Sequence, residues 1–342
     1  MDLIFFIIYL INLKGDVMIK QLQIYISKCL DPYENLATEK YLLDTTPEDC
    51  CTLYLWQNQS TVVIGRNQNP WVECRCSLLE SEGGKLARRL SGGGAVFHDL
   101  GNLNFTFLCS TKNYNLEKHI QVIQKACELA GITTEISGRN DILADGRKFS
   151  GNAFYNSKGK SYHHGTILVS ANMERMQRYL TPSKAKLESK GVKSVKSRVI
   201  NLSELSLDLT CEKMKHHMIN ALEKVYGMNA IECTHINIDE ISRLAEEYGS
   251  WDYLYGSPIP FSFSCEERFS WGNVQLQLQV SGGIIQAVKV YTDSMEWDLP
   301  DRIQTALTNC RFDADSMSKS ISKRLPQNIA GDFINLLNKQ EI

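Results

Sequence analysis

Three successive glycines, Gly92-Gly93-Gly94, stand between a pair of arginines and the apolar run Ala95-Val96-Phe97. A loop without Cβ atoms can take positive φ and bring backbone amides close to a ligand, so this stretch suits a strand entrance that receives a phosphate or carboxylate. The upstream pair Arg88-Arg89 adds fork-shaped donors able to clamp an anion, and His98-Asp99 closes the segment. The spacing is neither the dinucleotide fingerprint nor a P-loop. Taken alone, the glycines would equally suit a flexible hairpin entrance beside a solvated arginine pair.

The chain has 342 residues, enough for roughly two domains at about 150 residues each. Hydrophobic residues at 43% allow a real core, and a net charge of −2 excludes a strongly cationic nucleic-acid binder. The 11 cysteines are odd in number and contain no C-x-x-C spacing, which fits reduced, cytoplasmic thiols better than a disulfide framework or a zinc site. The apolar run Leu3 to Ile11 is far short of the ~20 residues of a membrane span and follows an acid rather than a basic segment. Residues 1–17 are expected to be an upstream extension, with translation starting at Met18.

Periodicity predicts a strand over 19–26 and a helix opened by Asp31-Pro32. Leu53–Trp56 and Thr61–Gly65 read as a hairpin across residues 57–60, and Ala95–Asp99 with Leu103–Leu108 as a second around Gly101-Asn102. Helices are expected from Leu116 to Ala130, closed by Gly131, and after Thr210 through Met214, Met218, Ala221 and Val225. Further on, Val274–Val280 alternates, Ser281-Gly282-Gly283 turns, and a strand returns from Ile284. Helices from Pro300 and through Ile329, Phe333 and Leu336 follow. Strands and helices intersperse without a clean βαβ run, which predicts an α+β fold with mixed or antiparallel sheets.

Three more segments carry polar chemistry. In Gly138-Arg139-Asn140-Asp141 the amide and carboxylate could orient a nucleotide or help hold a metal ion. Asp145-Gly146 is a tight-turn signal that delivers Lys148 to the next strand, where it is either a solvated lysine or a cation meeting a phosphate and a carbonyl. In Tyr162-His163-His164-Gly165-Thr166 the neighbouring histidines must face opposite sides of a strand, which argues against a metal and for one pocket hydrogen bond. The basic run Lys184–Arg198 is either a solvated loop or a closure over an anionic intermediate.

Together these motifs resemble the bacterial lipoate–protein ligases of the A type. The likeness lies in Arg88-Arg89 through Ser91-Gly92-Gly93-Gly94-Ala95-Val96-Phe97-His98-Asp99 to Gly101-Asn102, in Gly138–Asp141, in Arg147-Lys148-x-Ser150-Gly151, and in His163–Thr166. It extends upstream to Asn35-Leu36-Ala37-x-Glu39, Leu55-Trp56 and Val62–Trp71, and downstream to Lys190–Leu202, Glu266–Gly272 and Thr292-Asp293-Ser294. The departures are modest: a short stretch between Asp141 and Lys148, and Leu90 in place of a small polar residue.

The resemblance implies an α+β chain with a biotinyl/lipoyl-ligase-type catalytic domain, mixed sheets flanked by helices, and a small α+β accessory domain. The expected division is extension 1–17, catalytic domain 18–248, linker 249–262 and accessory domain 263–342. It implies adenylation of lipoate by ATP, with Mg²⁺ expected, and transfer of the lipoyl group to a lysine. The implied acceptors are lipoyl domains of 2-oxoacid dehydrogenase subunits and the glycine-cleavage H protein; neither nucleic acid nor membrane is implied. By resemblance Lys148 is catalytic and touches both substrates. Arg89, Gly94, Ala95, Val96, Phe97, Asn140 and Asp141 would bind ATP. Arg89, Ser91, His98, His164, Glu39 and Trp56 would bind lipoate, with Asn102 a further pocket candidate, although Trp56 could equally be core. No metal ligand is assigned. The competing readings are an ATP-independent octanoyl or lipoyl transferase on the same scaffold, with Cys109 nearest to the motifs, and a non-catalytic lipoyl-binding regulator.

Overall fold

The structure, a computed structural model, describes residues 19–138, 141–180, 199–234, 236–255 and 262–340. The expected extension 1–17, Asn140 and the basic run 184–198 lie outside the described residues. The chain forms two compact units. The first takes in residues up to Ser60, His98–Met173 and the described part of 194–247; the second takes in Thr61–Phe97, the described part of 174–193 and the residues from Tyr248 onward. Within the expected linker, Trp251–Tyr255 is a short helix and 256–261 lie outside the described residues.

The first unit is built on a mixed eight-stranded sheet. Across it run Ala230–Glu232, Gln21–Ile26, Cys50–Trp56, Asn102–Ser110, Lys160–Leu168, Arg147–Ser157, Asp141–Ala144 and Glu135–Ser137. The first three strands are mutually parallel, and every later pairing is antiparallel. Helix Pro32–Thr45 joins two of the parallel strands. It starts where the Asp31 carboxylate accepts from the amides of Tyr33 and Glu34, with Pro32 already holding a helical φ. Between Asp141–Ala144 and Arg147–Ser157 the chain turns in two residues, Asp145 at φ 51° and Gly146 at φ 67°, the twist-matched geometry that delivers Lys148 to its strand as expected.

Alternation along Asn102–Ser110 decides what each face of this sheet does. Leu103, Phe105, Phe107 and Cys109 enter the apolar core with Val122, Ile123, Ala126 and Cys127 of helix Leu116–Leu129 and Met214, Met218, Ala221 and Leu222 of helix Cys211–Tyr226. The intervening Asn102, Asn104, Thr106 and Ser110 are buried on the other face, which helix Pro32–Thr45 covers.

The second unit holds two three-stranded sheets. One consists of Lys85–Arg88, Thr61–Ile64 and Val96–His98. The other is the meander Phe263–Phe269, Gly272–Ser281 and Ile284–Thr292, whose alternating Val274, Leu276 and Leu278 pack with Ile303, Met317 and Phe333 from three helices.

Neither of the two hairpins expected from the N-terminal half forms. Cys50–Trp56 already pairs on both edges, with Gln21–Ile26 and Asn102–Ser110, so Thr61–Ile64 pairs with Lys85–Arg88 instead. Residues 57–60 form an anchored connection: the Asn58 side chain is fully buried and accepts from Asn35 Nδ2 at 3.0 Å. Likewise Asn102–Ser110 has both edges occupied, by Cys50–Trp56 and Lys160–Leu168, and Val96–His98 joins the three-stranded sheet. The turn at Gly101-Asn102 is real, since Asn102 N donates to Asp99 O at 3.1 Å, but it connects two different sheets.

Candidate active site

The expected site residues fall into two groups, one in each unit. Glu39, Trp56, His98, Asn102, Asp141, Lys148 and His164 belong to the first unit; Arg89, Ser91 and Gly94–Phe97 belong to the second.

In the first unit the helix-covered face of the sheet carries several buried hydrogen-bonded polar groups. Glu39 on helix Pro32–Thr45 is 1% exposed, and its Oε1 is the hub. It accepts from Thr106 Oγ1 at 2.7 Å and lies 2.8 Å from His164 Nδ1. A ring nitrogen beside a carboxylate donates, so Nδ1 of His164 is the donor in this contact. Thr106 in turn accepts from Trp56 Nε1 at 3.2 Å. The Trp56 ring is stacked on Tyr54 at 5.8 Å and meets His98 edge-on at 5.9 Å. Asn58 Nδ2 donates to His98 Nδ1 at 3.2 Å. Asn102 Nδ2 donates to Asn104 Oδ1 at 2.8 Å.

Lys148 lies on the same sheet. Its Nζ is 2.6 Å from Asp141 Oδ1 and passes over Gly151, where a Cβ would sit 2.9 Å from the ammonium. Glycine is therefore required there for the lysine to take this path. The Lys148 backbone is pinned as well: its carbonyl accepts from Ile200 N at 2.9 Å. The ion pair is about one-third exposed, so the ammonium is positioned yet reachable.

His163 and His164 separate as expected. His163 is turned into the apolar face, where Phe105, Phe107, His119 and Phe154 surround it and its Nε2 meets Asn152 Oδ1 at 2.8 Å. Burial holds it neutral by pushing its pKa well down, and neighbouring His119 falls to about 3 for the same reason. Cys109 is also on that face, 1% exposed, with burial pushing its thiol far above the usual range. A thiol buried in this way is poorly placed to serve as the nucleophile of the transferase reading.

In the second unit the glycine-rich loop is more tightly held than its sequence suggests. Arg89 is 7% exposed and gives its donors to the loop and to the neighbouring strand: Nε to Ser91 Oγ at 3.1 Å, Nη2 to Gly92 O and Gly94 O at 2.8 Å each, and Nη1 to Val63 O of strand Thr61–Ile64 at 3.1 Å. Arg88 donates to the carbonyls of Arg66, Gln68, Tyr253 and Leu254, and burial lowers its pKa to about 10. The arginine pair thus braces backbone rather than standing open as an anion clamp.

Two of the three glycines are packing requirements. A Cβ on Gly92 would lie 2.3 Å from Ser294 O, and Gly93, at φ 90°, donates its amide to that same carbonyl at 3.0 Å. The Gly93 amide is therefore already engaged, contrary to the expectation of exposed amides. Gly94, Ala95 and Val96 are half-buried, and Phe97 is buried against Tyr179.

Thr106 and Asn58 join these networks although neither drew attention as a site candidate. The signal for Thr106 was the polar alternation of Asn102, Asn104 and Thr106 within an otherwise apolar run. Among the described residues no group of three His, Cys, Asp or Glu side chains could hold a metal ion, and no helix is long and apolar enough to cross a membrane.

Comparison with known proteins matches nearly the whole chain, and the catalytic-domain match takes in residues of both compact units. Residues 31–223 match the family model of the lipoyl protein ligase A/B catalytic domain, and residues 259–341 that of the bacterial lipoate protein ligase C-terminus. The chain is 39% identical over 303 residues to the lipoate-protein ligase A of Psychrobacter cryohalolentis, covering 86% of this chain and 89% of that protein. Among solved structures, P. falciparum LipL1 in complex with lipoate superposes with a TM-score of 0.82 at 28% identity, covering 93% of this chain and 100% of the other. A lipoate-protein ligase A bound with ATP shares the fold at a TM-score of 0.59 and 22% identity, over 70% of this chain and 99% of the other.

Proposed function

The chain belongs to the lipoate-protein ligase A family, and from that premise we propose the course of its reaction and the residues that carry it. It is an ATP-dependent ligase that activates lipoate and attaches the lipoyl group to a protein lysine. In the first half-reaction a lipoate carboxylate oxygen attacks the α-phosphorus of ATP; the new P–O bond gives lipoyl-AMP, and pyrophosphate leaves with the electrons of the broken bond. In the second, the neutral ε-amine of the acceptor lysine attacks the acyl carbonyl carbon; the C–N bond forms, the acyl C–O bond breaks with its electrons leaving on AMP, and the nitrogen's extra proton passes to the departing phosphate or to solvent. Both steps build negative charge on oxygen, so a fixed cation contributes more than a base.

The observation that carries this reading is the placement of Lys148. Asp141 holds its ammonium over Gly151, on the sheet that also carries the Glu39–Thr106–His164 network. In this reading Lys148 meets the lipoate carboxylate and the α-phosphate, then the carbonyl oxygen of the adenylate. Trp56, Glu39, His164 and His98 line the acyl chain's site, with Asn102 beside them. Gly94–Phe97, Asp141 and Asn140 receive the nucleotide. Arg89 and Ser91 hold the loop in shape, and Arg89 brings its charge to it. ATP enters as its magnesium complex, with the ion carried by phosphate oxygens.

The catalytic part is assigned to 18–248 and the accessory part to 263–342, supported by the two family matches. Acceptors are lipoyl domains of 2-oxoacid dehydrogenase subunits and the glycine-cleavage H protein. The reaction takes place in the cytoplasm, a location supported by 11 cysteines that are all free thiols.

Pyrophosphate release from ATP by the purified protein, with and without lipoate, tests the reading. Release that requires lipoate is expected. Acyl transfer from a carrier without pyrophosphate release would replace the ligase with a transferase.

A further inference from the structure

We propose that Thr106 is a positioning residue for the acyl substrate, setting the Trp56 indole and the Glu39 carboxylate through a single hydroxyl. The inference rests on the reaction proposed above and adds to it the group that shapes the acyl-binding wall.

Thr106 occupies the middle of the central strand, directly across from Tyr54 on one side and His164 on the other. It is fully buried. Its hydroxyl accepts from Trp56 Nε1 at 3.2 Å and donates to Glu39 Oε1 at 2.7 Å, so both of its hydrogen-bonding roles are used. The same carboxylate oxygen takes His164 Nδ1 at 2.8 Å. Four groups from helix Pro32–Thr45 and three adjacent strands thereby form one chain, Trp56–Thr106–Glu39–His164.

A merely structural residue would not need this chemistry. On the opposite face the same strand places Leu103, Phe105, Phe107 and Cys109, and an equally apolar face here, with neither the Thr106 hydroxyl nor the Glu39 carboxylate, would avoid the cost of burying both. The network instead fixes an indole. Stacking on Tyr54 at an interplanar angle of 12° and edge contact with His98 at 73° hold the ring laterally, and the Nε1 bond holds it against sliding along those neighbours. Loss of the hydroxyl frees the ring and leaves the buried carboxylate one donor short. The ligand class that reads such a wall is a medium-length acyl carboxylate, whose chain has no polar atoms of its own to fix its position.

The test measures steady-state kinetics of the full-length chain with lipoate, octanoate and ATP varied in turn. Thr106→Val is expected to raise KM for both acyl substrates by about tenfold, leaving KM for ATP within about twofold. Thr106→Ser, which keeps the hydroxyl, is expected to restore acyl KM to within about threefold of wild type. Adding Thr106→Val to Trp56→Phe is expected to raise acyl KM by less than Thr106→Val does alone, because the indole N–H is already gone. Equal rises in KM for ATP and acyl substrate, additive effects with Trp56→Phe, or a folded Thr106→Val with unchanged acyl KM would overturn the inference while leaving the ligase reading intact. A wild-type chain that releases no pyrophosphate with either acyl substrate would overturn both.

Discussion

His163 and His164 are neighbours in the chain and lie on opposite faces of one strand, and the two faces have different physics. His163 is packed among Phe105, Phe107, His119 and Phe154, held neutral by burial. His164 joins Glu39, Thr106 and Trp56 in a hydrogen-bonded chain. The first face holds the unit together through apolar contact. The second gives up apolar burial to keep polar groups in fixed positions, the trade expected where a ligand binds. Damage to the apolar face should therefore read out as stability, and damage to the polar face as catalysis.

Two glycines test that division most sharply. Gly165 belongs to the apolar face: a Cβ there would lie 2.7 Å from Phe105 Cζ and 2.6 Å from Gly151 O. Gly165→Ala should destabilise the protein by about 2–3 kcal/mol and lower Tm by roughly 5–10 °C in a thermal scan. Gly151 belongs to the polar face, where a Cβ would crowd the flexible end of Lys148 and touch Thr166 Oγ1 at 4.0 Å. Gly151→Ala should leave Tm within about 2 °C and lower kcat by about 10- to 100-fold, as the ammonium is pushed off its path. Equal stability losses for the two variants would dissolve the comparison.

A smaller effect appears on acidification. His119 has a pKa lowered to about 3 by burial, so the unfolded chain binds a proton there that the folded chain refuses. Its contribution is complete above the unfolded pKa of about 6.5 and is lost as pH falls toward 3, at about 1.4 kcal/mol per pH unit. Denaturant titrations between pH 7 and pH 5 should show stability falling by about 2 kcal/mol on account of this group, and His119→Phe should remove that share of the fall. His163, also held neutral, steepens the wild-type slope in the same direction.

Much of this arrangement could be read in the sequence because it is local. The Asp31 cap, the Asp145-Gly146 turn, the Val274–Tyr291 hairpin and the opposed histidines each depend on residues a few positions apart. The choice of strand partners does not. Thr61–Ile64 and Val96–His98 looked like halves of hairpins, and only the occupied edges of Cys50–Trp56 and Asn102–Ser110 send them elsewhere. The glycine loop is instructive in the same way. Its composition suggested ligand approach, whereas Gly92 is required by Ser294, some two hundred positions away. Thr106 was concealed inside a run that looked like plain strand, its meaning set by Glu39 and Trp56 from other elements.

The measurement that bears most directly on the account is the Lys148→Ala variant, assayed separately for lipoate-dependent pyrophosphate release and for transfer from synthetic lipoyl-AMP to an apo lipoyl domain. Loss of both half-reactions by about a thousandfold, with unchanged Tm and circular dichroism, is the predicted result. A folded variant that still performs either half-reaction at near wild-type rate would contradict the assignment of Lys148 to both steps.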